Sequence, residues 1–134
     1  MIETEFLPRV ALESMNETHF EEIEIINQIS SLIEAKEVDK ILNQLQLLHQ
    51  HTVEHFAKEE DMMEITYFPP YETHKEEHDI ALDVLENIID DWKQNRNLGN
   101  LSHYIDEVLP NWLHDHIQTM DYVTANYLVK WHGM

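Results

Sequence analysis

The sequence predicts an all-α fold, an up-down-up-down antiparallel four-helix bundle with an N-terminal arm, on three observations. Its 134 residues include only two glycines and four prolines, too few for the many tight turns of a sandwich or barrel. Four long segments repeat apolar residues every three or four positions, as helices do when they bury one face. The breaks between these segments are short, and short connections favour antiparallel neighbours. A chain of this length suits one domain with one core, with the arm over about residues 1–15 and the bundle over about 16–131.

The arm shows no clear period and is expected to pack on the bundle. The first helix is expected from about Asn16 to Lys36, with Ile23, Ile26, Ile29 (or Ser30) and Ile33 on one stripe. The polar break Glu37–Asp39 separates it from a second helix, about Val38 to Met63, which carries Ile41, Leu45, Leu48, Thr52 and Phe56. The stretch "YFPP" at 67–70 closes that helix. Pro69 and Pro70 suit a helix start, where a missing N–H costs nothing. A third helix follows from about Pro70 to Asn95, with His78, Leu82, Leu85 and Ile89 inward. After "NRNLGN" at 95–100, the fourth runs from about Leu101 to Val129. Pro110 lies inside it and must either kink the helix or mark its true start.

The formal net charge is −19, which makes nucleic acid and anionic membranes poor partners. Cysteine is absent, so disulfides, thiolate metal sites and a cysteine nucleophile are excluded. No apolar run approaches the roughly 18–20 residues that cross a bilayer. The opening "MIETEFLPRV" lacks the basic and apolar regions of a signal peptide, so a cytoplasmic location is the expectation. Ten histidines accompany the 27 carboxylates. That excess suggests that some acids sit beside cations which a residue count does not include.

Positions i and i+4 of a helix lie about 40° apart around the axis and about 6 Å apart along it. His55 and Glu59 share a face on those terms, as do His74 and His78, and His51 lines up with His55. Glu60 and Glu76 fall off these faces and are expected in solvent. A lone inward histidine is usually a hydrogen-bonded core side chain. Here all four helices contribute: His19, then His55 and Glu59, then His74 and His78, then His116. Metal sites in bundles are built from inward groups on facing helices, and nitrogen and oxygen donors without sulfur suit iron, zinc or manganese. "HKEEH" at 74–78 also fits the H-x-x-E-H zinc-protease pattern with Glu77 as base, but that reading leaves the other helices' groups unused. His49, His103, His114 and His132 fit no pattern and are expected to be exposed.

In order and spacing, these groups resemble the bacterial hemerythrins, the HHE-type hemerythrin family. The resemblance rests on His19 with Asn27, "HFAKEEDMM" at 55–63, Phe68-Pro69, His74 with His78, and "WLHDHIQTMD" at 112–121. It spans nearly the whole chain. It implies seven metal ligands: His19, His55, Glu59, His74, His78, His116 and Asp121. They would hold two non-haem irons joined by an oxo or hydroxo bridge. Asp121 rests on the resemblance alone, because five residues after His116 it lies about 140° round an ideal helix. A local bulge or a bridging role would be needed to bring it in. Five imidazoles, two bridging carboxylates and the solvent bridge fill about eleven of twelve octahedral positions. The vacancy implied is on the iron held by His19 and His55. The implied function is reversible dioxygen binding, for storage, delivery or sensing, with other small diatomic or peroxide ligands possible at the same place.

Trp112, Leu113 and Ile117 match the family's oxygen-pocket walls. Glu22 departs from the pattern, since the family usually places leucine or a similar apolar group there. Three outcomes are open to it. It binds the vacant iron; it exchanges a hydrogen bond or proton with the bound ligand, as the candidate catalytic group of a di-iron redox enzyme (peroxide turnover, oxygen reduction or iron oxidation); or it turns to solvent, an outcome that a register change putting Ile23 in the pocket would also produce. His51 stands where the family often has tyrosine and is expected as an outer partner of the site. The arm lacks the family's usual tryptophan.

Overall fold

The structure, a computed structural model, describes residues 2–132. Among these residues it has four long helices and no strand. Helix α1 is Glu13–Glu34, α2 is Val38–Ile65 and α3 is Tyr71–Asn95. Helix α4 covers 98–132, with two π-helical turns, Tyr104–Val108 and Ile117–Asp121, interrupting its α-helical pieces Leu98–His103, Leu109–His116 and Tyr122–His132. Its start is set by Asn97, whose side chain accepts the Asn100 N–H at 3.0 Å and so satisfies one of the unpaired donors of the first turn. Pro110 neither begins nor ends α4. The π turn Tyr104–Val108, which ends two residues before it, is where the chain leaves the i−4 pattern that a proline cannot join.

The direction of the helices can be read from contacts at the two ends. At one end His19, early in α1, meets Asp121, late in α4, at 3.0 Å, and His74, early in α3, meets Thr124 of α4 at 2.9 Å. At the other end the Ser30 hydroxyl of α1 donates to Asp106 of α4 at 2.8 Å, and Arg96, just past α3, reaches Asp39 of α2 at 3.2 Å. Neighbours therefore alternate in direction, and the bundle is up-down-up-down as the periodicity predicts. The apolar stripes fill the second end: Ile26, Ile29, Ile41, Leu45, Ile89 and Trp92 are buried in one cluster. Each such side chain contributes roughly 1.5–3 kcal/mol. That end supplies the rigid scaffold against which the first end can hold polar groups.

The arm runs along α1 and is tied down by two asparagines. Asn16 accepts the Val10 N–H at 2.8 Å and donates to its carbonyl at 2.9 Å. Asn27 does the same for Ile2, at 2.8 and 2.9 Å. Its own Leu7 and Val10 are buried.

With so few glycines, three other residues take left-handed backbone at the helix ends: Lys36 (φ 57°), Tyr67 (φ 55°) and Arg96 (φ 46°). After α1 the Glu37 N–H returns to the Leu32 carbonyl at 3.0 Å, the closure that favours glycine at the residue before it. Lys36→Gly is therefore expected to raise stability by about 0.5–1 kcal/mol, read as a higher urea midpoint with an unchanged slope. Among the described residues, no helix is long and apolar enough to cross a membrane.

Candidate metal centre

Where α1 and α3 begin and α2 and α4 end, seven polar side chains meet: His19, His55, Glu59, His74, His78, His116 and Asp121. None is more than 6% exposed. The i, i+4 pairs His55/Glu59 and His74/His78 place their groups inward on α2 and α3. The seven form two overlapping donor sets. Glu59, His74, His78, His116 and Asp121 make one, His19, His55, Glu59 and Asp121 the other, and within each set the ligating atoms lie within 4.8 Å of one another. Both carboxylates belong to both sets.

Asp121 is brought in by the π turn. The Tyr122 N–H bonds to the Ile117 carbonyl, five residues back, so one turn closes over five residues and Asp121 overlies His116. Its Oδ1 is 3.1 Å from both His116 Nε2 and His74 Nε2, and its Oδ2 is 3.0 Å from His19 Nε2. Glu59 spans the same space, with Oε2 2.5 Å from His55 Nε2 and Oε1 3.3 and 3.4 Å from His74 and His78 Nε2.

Four of the five imidazoles are oriented from behind through Nδ1. His55 donates to Glu22 at 3.0 Å, His74 to Thr124 at 2.9 Å, His78 to Glu60 at 3.0 Å and His116 to Glu77 at 2.8 Å. Each bond places a proton on Nδ1 and turns the Nε2 lone pair inward, the usual arrangement of metal-binding histidines. Glu60 is thus not in solvent as its helix face suggested, because that face looks onto α3. Glu77 is occupied by His116 and is not free to act as the base of a zinc protease. Glu76 is exposed, as expected. Phe56 stacks on His78 with ring centroids 3.8 Å apart, and Trp112 on His116 at 4.5 Å, which fixes both rings and dries that side of the site.

The centre of the site suits cations. Among the described residues, His78 Nε2, Glu59 Oε1 and Asp121 Oδ1 are buried with no hydrogen-bond partner, and the Nε2 atoms of His74 and His116 face each other at 3.2 Å. Buried polar atoms are rarely left unpaired. Lone pairs converging without a donor, from nitrogen and oxygen alone, fit a pair of first-row metal ions. Without metal, protons take that place. Burial lowers the pKa of His74, but bonds to Asp121 and Glu59 outweigh it and push the pKa up to about 9. His55 and His116 are raised for like reasons. Burial pushes Asp121 up, yet His116 and the other imidazoles hold it well below the usual carboxylate range.

Glu22 belongs to neither donor set and is not in solvent, being only 3% exposed. Its Oε1 accepts from His55 and lies 3.5 Å from His51 Nδ1, and its Oε2 has no partner among the described residues. Burial raises its pKa, but His55 above all, with His51, holds it at about 2. His51 in turn lies 3.6 Å from Glu21 at the surface, an outer partner as expected. Glu22 also lines a partly open cavity of about 20 Å³, together with Ile26, Phe56, Tyr104, Trp112 and Leu113. Three of these walls also touch the site: Glu22 through His55, Phe56 through His78 and Trp112 through His116. Of the expected pocket residues, Trp112 and Leu113 are on the wall, whereas Ile23 and Ile117 are not. Both are buried in the apolar cluster instead, and Ile26, one turn after Glu22, takes the wall position. Burial and Glu22's charge raise the pKa of Tyr104.

Sequence reasoning did not select Glu60, Glu77 (as a histidine partner), Thr124 or Tyr104. Thr124 offered one faint signal, sitting three residues after Asp121 on the same helix. His103 is exposed, while His49 and His114 are half-buried rather than exposed, beside Glu86 and Phe6 respectively. The His132 side chain lies outside the described residues.

Comparison with known proteins agrees with this geometry. A family model described as the hemerythrin HHE cation binding domain matches residues 10–128. A bacteriohemerythrin of Aquifex aeolicus (strain VF5) is 31% identical over 114 residues, covering 85% of this chain and 87% of that protein. A bacteriohemerythrin of Ralstonia nicotianae (strain ATCC BAA-1114 / GMI1000) is 28% identical over 104 residues, covering 76% and 72%. No solved structure matches the chain. With the motif order, the two donor sets and these matches in agreement, the chain belongs to the hemerythrin family.

Proposed function

We propose that the two donor sets hold a pair of non-haem iron ions joined by an oxo or hydroxo bridge, and that the protein binds dioxygen reversibly there. The observation that carries this reading is the asymmetry of the sets, five donors against four, with two carboxylates common to both. A bridging solvent oxygen brings the first set to about six, an octahedral complement, and the second to about five. A closed site is structural, whereas an open position admits a small ligand. The vacancy falls on the His19 and His55 side. Reduced iron, when bound, supplies the electrons that dioxygen needs in order to bind and recovers them on release.

The protein's own groups have separable tasks. Glu59 and Asp121 join the two positions and balance their charge. Glu22, Glu60, Glu77 and Thr124 hold four imidazoles in the tautomer that presents Nε2. Phe56, Trp112 and Leu113 exclude water, and the cavity has room for about one small molecule. The reading is tested by iron analysis and by spectra of the reduced protein. About two irons per chain and a visible band that forms in air and disappears under argon are expected. Irreversible oxidation in the first cycle, or no band, overturns it.

A di-iron oxidoreductase is the alternative, and the burial of a carboxylate, Glu22, among the residues that line the cavity favours it. A carboxyl held at about pKa 2 has no proton to give near neutral pH, so Glu22 would act there as an acceptor. Peroxide consumption that disappears in Glu22→Leu would support this alternative.

A further inference from the structure

Helices α3 and α4 share an exposed apolar seam with an acidic rim, and we propose that it is the docking face for a cationic amphipathic helix of a partner protein. The inference is independent of the metal reading.

The seam follows from helix geometry. Glu77, one residue before the inward His78, meets His116 of α4 at 2.8 Å, so that side of α3 looks toward α4. Ile80, Val84 and Ile88 continue along it at i, i+4 and i+8, each within about 60° of Glu77 around the axis. On α4, Trp112 lies one residue before the inward Leu113, and Val108 lies one turn earlier on the same side. Ala81 and Leu85 of α3 line one cavity with Leu109, Trp112 and Leu113 of α4, so the two helices are neighbours at this level. Ile80 is 56% exposed, Val84 and Val108 are 41% exposed, and Ile88 and Trp112 are half-buried. A single exposed apolar side chain needs no explanation. An apolar patch shared by two helices and rimmed by polar groups marks an interaction surface.

The rim selects the occupant. Glu76 and Asp83 flank the seam on α3, Glu107 and Asp115 flank it on α4, and all four are exposed. No lysine or arginine occurs between residues 76 and 92 or between 97 and 129. A second copy of the chain, with its net charge of −19, would set acids against acids in a two-fold contact over this face. A helix with apolar side chains three or four residues apart and lysine or arginine beside them meets both features at once. The stretch from Ile80 to Ile88 is about 12 Å long, which roughly two turns of such a helix cover.

The probe is a fluorescent peptide of lysine and leucine, roughly four turns long and amphipathic as a helix, beside a scrambled peptide of the same composition. Binding to the iron-loaded protein is followed by anisotropy. The amphipathic peptide is expected to bind at least about tenfold more tightly than the scrambled one, and less tightly as salt is raised. The double variant Ile80→Ser/Val84→Ser should lose that advantage, since burial of two apolar side chains is worth about tenfold or more. Glu76→Lys/Asp83→Lys should weaken binding as well. Leu47→Ser/Val53→Ser, which alters two comparably exposed apolar residues of α2, should leave binding unchanged. Equal binding of the two peptides overturns the inference by leaving only non-specific charge attraction. Equal losses in the Ile80/Val84 and Leu47/Val53 variants overturn it by removing the seam's role. A wild-type dimer in sedimentation that Ile80→Ser/Val84→Ser dissociates overturns it by assigning the face to a second copy.

Discussion

Replacing either shared carboxylate is expected to empty both metal positions, whereas replacing His19 is expected to empty one. Glu59 and Asp121 each belong to both donor sets, while His19 belongs only to the four-donor set. Glu59→Ala or Asp121→Ala therefore removes a donor from each position and half of the anionic charge facing the cations. Even groups that merely orient a ligand change metal affinity about 10–100-fold, and a lost bridging ligand acts on two ions at once. After anaerobic loading with ferrous iron and gel filtration, these variants should retain less than about 0.2 iron per chain. His19→Ala leaves three donors in its own set and all five in the other, so it should retain about one. His19 suits the comparison because, among the described residues, its Nδ1 has no hydrogen-bond partner, so its removal strands no group behind the ring. Equal iron losses in all three variants would contradict the two overlapping sets.

The second large effect is a pH dependence that metal removal creates. In the metal-free protein His74 is raised from its ordinary 6.5 to about 9 by Asp121 and Glu59, against burial. A raised pKa stabilises the fold fully below pH 6.5, and that stability is lost as the pH climbs through 9. Glu22 behaves oppositely. Lowered from 4.5 to about 2, it contributes above pH 4.5 and ceases to as the pH falls toward 2. Each gap of about two and a half pH units corresponds to roughly 3 kcal/mol. Urea unfolding of the metal-free protein should therefore show a plateau between about pH 4.5 and 6.5, with a decline of that size toward pH 9. In the iron-loaded protein the ligand imidazoles are already deprotonated, so the alkaline decline should disappear. A metal-free protein equally stable at pH 6.5 and 9 would show that protons do not substitute for the cations.

How far the site was legible follows from which spacings are local. His55 with Glu59 and His74 with His78 are readable because an α-helix brings i and i+4 together wherever it forms. Asp121 is not readable that way. On an α-helix it faces away from His116, and only the π turn Ile117–Asp121 turns it inward. The family resemblance supplied the residue without the reason for it. Glu60 shows the converse failure. Its own helix face is correctly off the Glu59 face, but a neighbouring helix covers that face, and α3 brings His78 to it.

What the sequence by itself determined is the number of helices, their alternating direction and the inward donors from each, since these depend on backbone geometry and on apolar stripes that must be buried. The packed bundle alone decided the rest: the partner behind each imidazole, the burial of Glu22 where a solvent-facing carboxylate was equally allowed, and the choice of Ile26 over Ile23 and Ile117 for the cavity wall. These depend on how each rod is rotated against its neighbours and on where α4 accommodates a wider turn. Contacts between segments far apart in the chain set both, so no local window of sequence contains them.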